Sequence, residues 1–283
     1  MMKRLFVMMT VAALCCVCCS AGIEGLKVGV FNPLLANGAG NSCEKIYAML
    51  REDVELDVEY VSSVEKLSDY KAVIFSCVKS VGKQPDNWKE ILRDYVKTGG
   101  GIILLHDSCG RMHSMSPPVF PEVAGSTVKL ISNAGAAVVK KDASHPIMAG
   151  VKDFKLQLDQ YPELVKGSQG KVLMETEKGV PVVLAGAFGK GCVVAIGSIP
   201  GWSDKDPDTP ENKVLINSLY WAAKSDSGTA SGGASGVGAG ELRALKKEIL
   251  SMRRRIEALE KQVENGQRNL RNMIRFSNSV RGN

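Results

Sequence analysis

Histidine is scarce in this chain: three residues among 283, all between positions 106 and 145. Any imidazole chemistry therefore falls on His106, His113 or His145. Long apolar runs are also lacking. The longest candidate, Leu5 to Val17, is shorter than the roughly 20 residues a membrane-spanning helix needs. Net charge is missing from most of the molecule. From Glu241 onward there are 11 lysines and arginines against five glutamates, which is the whole formal charge of +6, and the remainder is balanced at 25 of each sign. A basic surface for nucleic acid is thus not a property of the main body. The glycine-rich loop Ala36-Asn-Gly-Ala-Gly-Asn-Ser42 lacks full GxGxxG spacing. We read it as a plain turn with Ser42 as helix cap rather than a phosphate cradle.

The composition that remains, 45% hydrophobic and 23% charged, is that of an ordinary globular domain with appendages. Residues 1–21 open with Lys3 and Arg4, continue through the apolar stretch and close on Cys19-Ser20-Ala21, so they read as a secretory signal cut after Ala21. Lipoprotein anchoring through Cys15, Cys16, Cys18 or Cys19 is the rival, ranked lower because no small-residue lipobox precedes any of them. The chain is expected to be exported, periplasmic or secreted. Cys43, Cys77, Cys109 and Cys192 would then meet a compartment that tolerates disulfides, although Cys77 and Cys192 lie in apolar runs and read as buried free thiols.

Residues 22–224 carry the main α/β domain. Strand signals at Leu26–Asn32, Leu56–Val61, Lys71–Cys77 and Ile102–Leu105 alternate with helices over Cys43–Arg51 and about Asp86–Lys97, the latter stopped by Gly99. Such alternation predicts a mostly parallel sheet flanked by helices. Pro181–Phe188 and Cys192–Gly197 flank Gly189-Lys-Gly191 as a hairpin, and a helix over Glu211–Lys224 is expected to bury Val214, Leu215, Leu219 and Trp221. Residues 225–240 form a Gly/Ser-rich linker with a span of roughly 20 Å. Residues 241–277 read as a coiled coil of about five heptads, with Leu242, Ile249, Ile256, Val263 and Leu270 at a and Leu245, Met252, Leu259, Gly266 and Met273 at d. Its flanking charges are complementary in a parallel homodimer, so the expected partner is a second copy.

The run Gly99-Gly-Gly-Ile-Ile-Leu-Leu-His106-Asp107-Ser-Cys109-Gly110 places reactive side chains just past a buried strand, where open α/β sheets bind ligands. His106, Asp107 and Cys109 are the catalytic candidates. His106, Cys109 and His113 offer ligand types that suit zinc, but residues straddling a strand end need not converge, and a polar ligand pocket is the favoured alternative. A nucleophilic Cys109 would need a base and an oxyanion hole. His145, followed by Asp159 and Tyr161, forms a second polar cluster whose histidine, standing before a proline, is ordinarily structural.

With these pieces in place, residues Leu26 to Lys224 resemble the ThuA-like family of the class I glutamine amidotransferase-like superfamily. The resemblance rests on Gly99 to His106, His145-Pro-Ile-x-x-Gly-Val-x-x-Phe-x-x-x-x-Asp159-x-Tyr161, Pro181-Val-Val with Gly189-Lys-Gly-Cys-Val, and Leu215 to Ala223. It implies a flavodoxin-like three-layer sandwich, and a histidine, His106, where an amidotransferase has its cysteine nucleophile. With no histidine after His145 to complete a triad, glutaminase activity is not expected. The family's Gly-His-Asp is replaced here by Gly197-Ser198-Ile199. The resemblance points to a small carbohydrate-related ligand at His106, His145, Asp159 and Tyr161, with hydrolase or isomerase-type chemistry if the domain is an enzyme. A non-catalytic scaffold, acting on a partner or envelope surface through its basic coiled coil, is the alternative.

Overall fold

In the computed structural model, residues 26–224 are described apart from 34–39, 54, 79, 112, 133–136 and 159. The expected signal, linker and coiled coil, and Asp159, lie outside the described residues. All described residues fall in one compact unit. Its elements run in the order β1 (Leu26–Phe31), α1 (Gly40–Leu50), β2 (Leu56–Val61), β3 (Ala72–Ser76), α2 (Trp88–Lys97), β4 (Gly101–Leu105), β5 (Ala124–Ser132), β6 (Ala137–Lys140), β7 (Phe154–Lys155), β8 (Gln160–Lys166), β9 (Lys171–Thr176), β10 (Pro181–Phe188), β11 (Gly191–Ile196) and α3 (Pro210–Ala223).

Nine strands form one sheet in the order β2-β1-β3-β4-β11-β10-β9-β6-β7, and β5 and β8 pair separately. The first five run parallel and the last four join antiparallel. The sheet is largely parallel, as expected, and is mixed because its far side joins antiparallel. The reason is local: the chain doubles back at Gly189, whose φ of +65° closes the β10–β11 hairpin.

Side-chain alternation explains the layers. Val28, Val30, Ile74, Ile103, Leu105, Val194 and Ile196 face one core with Ile46 and Met49 of α1 and Val214, Leu215 and Leu219 of α3. Val73, Phe75, Ile102, Leu104, Val193 and Ala195 face a second core with Trp88, Leu92 and Val96 of α2. A strand apolar at every position is what two covered faces require. On the first face α3 presses close to β4: a Cβ on Gly101 would stand 2.6 Å from Ala222 Cβ.

Some local expectations change. Helix α1 begins at Gly40 rather than at Cys43, so Ser42 lies inside the first turn, buried, and is not the cap. Trp221 is only half-buried, packing on the His145 ring at 5.0 Å between centroids. Among the described residues no helix is long and apolar enough to cross a membrane.

Candidate functional site

Strand β4 delivers the chain from Leu105 into a single 3-10 turn, His106–Cys109, ended by Gly110 at φ +106°. His106 adopts φ +52°. A left-handed residue with a Cβ is disfavoured by roughly 1 to 2 kcal/mol, and such strain concentrates where function holds it. The neighbouring parallel strand ends the same way, with Cys77 at φ +47°. Because Ser76 and Leu105 are register partners, the next residues, Cys77 and His106, stand side by side at the carboxyl edge of the sheet. The Cys77 sulfur, a His106 ring nitrogen and an Asp107 carboxylate oxygen all lie within 4.8 Å of one another.

The electrostatics of this cluster are coupled. Asp107 Oδ1 lies 3.1 Å from His106 Nδ1, at ion-pair distance but off hydrogen-bond geometry, and accepts a 2.6 Å bond from Arg111 Nε, one helical turn ahead. Burial opposes charge on His106, but Asp107 and Cys77 outweigh it and push the imidazole up from 6.5 to about 9. Burial likewise opposes ionisation of Asp107, and His106 and Arg111 outweigh that, holding it down at about 2. At neutral pH the ring is an imidazolium beside a carboxylate. It can donate hydrogen bonds, or a proton, to a hydroxyl, carbonyl or carboxylate. Nε2 faces the main-chain oxygen of Gln160 at 3.3 Å, so the β5–β8 ribbon lies across the carboxyl ends of the strands. Ser108 Oγ accepts from Val78 N at 3.0 Å and fastens the two strand ends together.

Cys109 does not join the cluster. It is 1% exposed, its thiol faces the carbonyls of Leu104 and Ile196 at 3.4 and 3.8 Å, and burial pushes its pKa far up. A thiol so placed is inert. His113 begins a separate 3-10 turn, His113–Met115. Cys109 thus leaves the zinc set expected from His106, Cys109 and His113, and among the described residues the donors that converge are Cys77, His106 and Asp107. These donors suit a soft dication in type, but Asp107 already holds the Arg111 cation at 2.6 Å, which repels one.

His145 and Tyr161 sit elsewhere. His145 caps the 3-10 turn Pro146–Met148, its Nδ1 accepting from Ile147 N at 3.3 Å, and burial lowers its pKa. Its partner Trp221 adjoins Ala222, which abuts Gly101 at the amino end of β4, roughly 16 Å of strand from His106. Tyr161 is buried in the core, with a hydrogen bond between its hydroxyl and Thr176, while its neighbour Gln160 supplies the carbonyl to His106. The ring of Tyr161 comes to 3.7 Å of a Cβ built at Gly197, the turn after β11.

Beyond that turn lie two buried groups that the residue pattern did not announce. Ser198 is 1% exposed and Glu211, in the first turn of α3, is 2% exposed. Neither side chain has a partner at hydrogen-bond geometry among the described residues. Burial pushes Glu211 up to about 7, partly offset by the nearby Ser198 hydroxyl and Gln157 main chain. A cavity of about 560 Å³, lined by Lys27, Tyr70, Tyr95 and Gly100 among others, opens at the opposite, amino end of the strands.

Cys77 and Arg111 were the residues missed. Both carried a signal: Cys77 follows an apolar run just as His106 does, and Arg111 stands four residues after Asp107.

Comparison with known proteins agrees with this architecture. No curated protein matches the chain in sequence. A cytoplasmic protein of Salmonella typhimurium LT2 superposes with a TM-score of 0.53 at 18% identity, over 69% of this chain and 98% of its own. A ThuA-like protein from Bacteroides uniformis gives 0.53 at 14% identity, over 70% and 91%. A β-galactosidase from Bacillus circulans gives 0.51 at 18% identity, over 73% of this chain but 31% of the enzyme. At these identities the likeness is one of fold. The family profile described as ThuA, trehalose utilisation, matches residues 37–222, and the chain therefore belongs to the ThuA family.

Proposed function

We propose that this ThuA domain, of flavodoxin-like three-layer build, binds a small carbohydrate-related ligand at the carboxyl edge of its parallel strands, with His106 as the principal contact. One observation carries the reading: His106 is held at φ +52° beside a buried Asp107, itself paired with Arg111, and Asp107 and Cys77 push its imidazole up to about 9. A strained residue with a fixed charge, at the edge where doubly wound sheets take ligands, is arranged for binding rather than for packing. The family's link to trehalose utilisation supplies the ligand class. Glutamine hydrolysis is not part of the proposal, since the elbow carries an imidazole and the nearest thiol along the chain, Cys109, is buried. Export and dimerisation through residues 241–277 belong to the same proposal, on the sequence grounds given above.

The test is a thermal-shift screen of the full chain against mono- and disaccharides and sugar acids, repeated with His106→Asn, asparagine being a residue that tolerates positive φ. At least one sugar should stabilise the parent and not the variant. A sugar that stabilises both equally removes His106 from the site.

A further inference from the structure

We propose that Cys77 is a nucleophilic thiol that adds reversibly to the aldehyde carbon of an open-chain sugar or short hydroxyaldehyde. This rests on the sugar-site reading and names its substrate class.

The geometry sets Cys77 apart. Among the described residues four cysteines are free, and Cys43, Cys109 and Cys192 are buried at 3%, 1% and 8% exposure. Cys77 alone of these is half-buried. Its backbone is held at φ +47° on the strand adjacent to the one bearing His106, and its sulfur belongs to the sulfur, imidazole and carboxylate group contained within 4.8 Å. Nucleophile, imidazole and carboxylate are the groups that activate thiols, and here two strands bring them within 4.8 Å. The His106 ring stands beside the sulfur, and Asp107, tied to Arg111, faces its Nδ1 at 3.1 Å.

The chemistry balances without a redox partner. The Cys77 thiolate forms a carbon–sulfur bond to the carbonyl carbon. The π electrons move onto oxygen, which takes a proton from the His106 imidazolium, giving a hemithioacetal. Reversal returns the proton to His106 and the thiolate to Cys77.

The experiment is carbamidomethylation of the full chain with iodoacetamide at neutral pH, read cysteine by cysteine by peptide mass mapping. Cys77 should react at least about tenfold faster than Cys43, Cys109 or Cys192, and His106→Asn should slow it by about tenfold. Excess glyceraldehyde should protect Cys77, whereas trehalose, which has no free aldehyde, should not. Equal rates at all four cysteines, an unchanged rate in His106→Asn, or equal protection by trehalose would overturn the inference. So would stoichiometric zinc whose removal by a chelator is needed before Cys77 reacts. Sugar stabilisation of the parent with a slow Cys77 sinks only the thiol chemistry. A fast, aldehyde-protected Cys77 with no sugar stabilisation supports the thiol and sinks the sugar-site reading.

Discussion

Cys77 and His106 close neighbouring parallel strands with the same left-handed backbone, at φ +47° and +52°, immediately beyond the register pair Ser76 and Leu105. Two strained residues with chemically active side chains are thereby set side by side at the carboxyl edge of the sheet. The surrounding ion pairs determine what they can do, and the behaviour of those pairs can be measured.

The imidazole of His106 should make stability fall in alkali. Its folded pKa, about 9, lies above the ordinary 6.5, so the contribution is complete below pH 6.5 and is lost as pH rises through 9. Denaturant unfolding between pH 6 and 10 should show a fall on the order of 2 to 3 kcal/mol, flattened in His106→Asn. Asp107 acts in the other direction: its contribution is complete above pH 3.8 and is lost as pH falls through about 2.

Glu211 should work against stability in a different window. Its folded pKa of about 7 exceeds the ordinary 4.5, so the unfolded chain releases the proton first and stability declines from pH 4.5 to 7. Glu211→Gln should remove that decline and leave the protein more stable than the parent at pH 8, by about 1 to 3 kcal/mol. A variant less stable than the parent at pH 8 would show that the carboxylate has a compensating partner.

Arg111→Ala should be costly because it strands Asp107. Both side chains are largely buried, at 12% and 8% exposure, and removal of one partner leaves a charge with only His106 to answer it. A loss of about 2 to 4 kcal/mol is expected, with the double variant Arg111→Ala, Asp107→Asn recovering part of it. Additive losses in a double-mutant cycle would deny the coupling.

Gly101→Ala tests the packing that orients β4. The added methyl would meet Ala222 of α3, so a loss of about 1 to 3 kcal/mol is expected from urea unfolding. No loss would mean that the helix stands farther off.

Residues 241–277 should make the protein a dimer. Light scattering of the full chain against a chain ending at Lys224 should give twofold and onefold mass, respectively; equal oligomeric states would remove the coiled-coil reading.

Much of the fold was legible because apolar alternation and glycine punctuation report local structure directly. The runs ending at Cys77 and Leu105, the stop at Gly99 and the turn at Gly189 all fall where expected. The site was legible only in part. His106 could be read from one strand, but its neighbours Cys77 and Gln160 come from other strands, and strand order is not written in any one segment. His145 and Tyr161 share a stretch of sequence with a polar pattern, yet the first caps a turn against Trp221 and the second turns into the core. Burial, which decides the difference between Cys109 and Cys77, depends on contacts far along the chain.

The most direct measurement is histidine-ring NMR of the full chain, assigned with His106→Asn and followed through a pH titration and a sugar titration. The expected result is a His106 ring titrating near 9 and shifting as a sugar or sugar acid saturates, while His145 titrates below 6.5 and does not move. A His106 ring titrating near 6.5, or a saturating sugar that leaves it unmoved, would contradict a charged ligand site at this edge of the sheet.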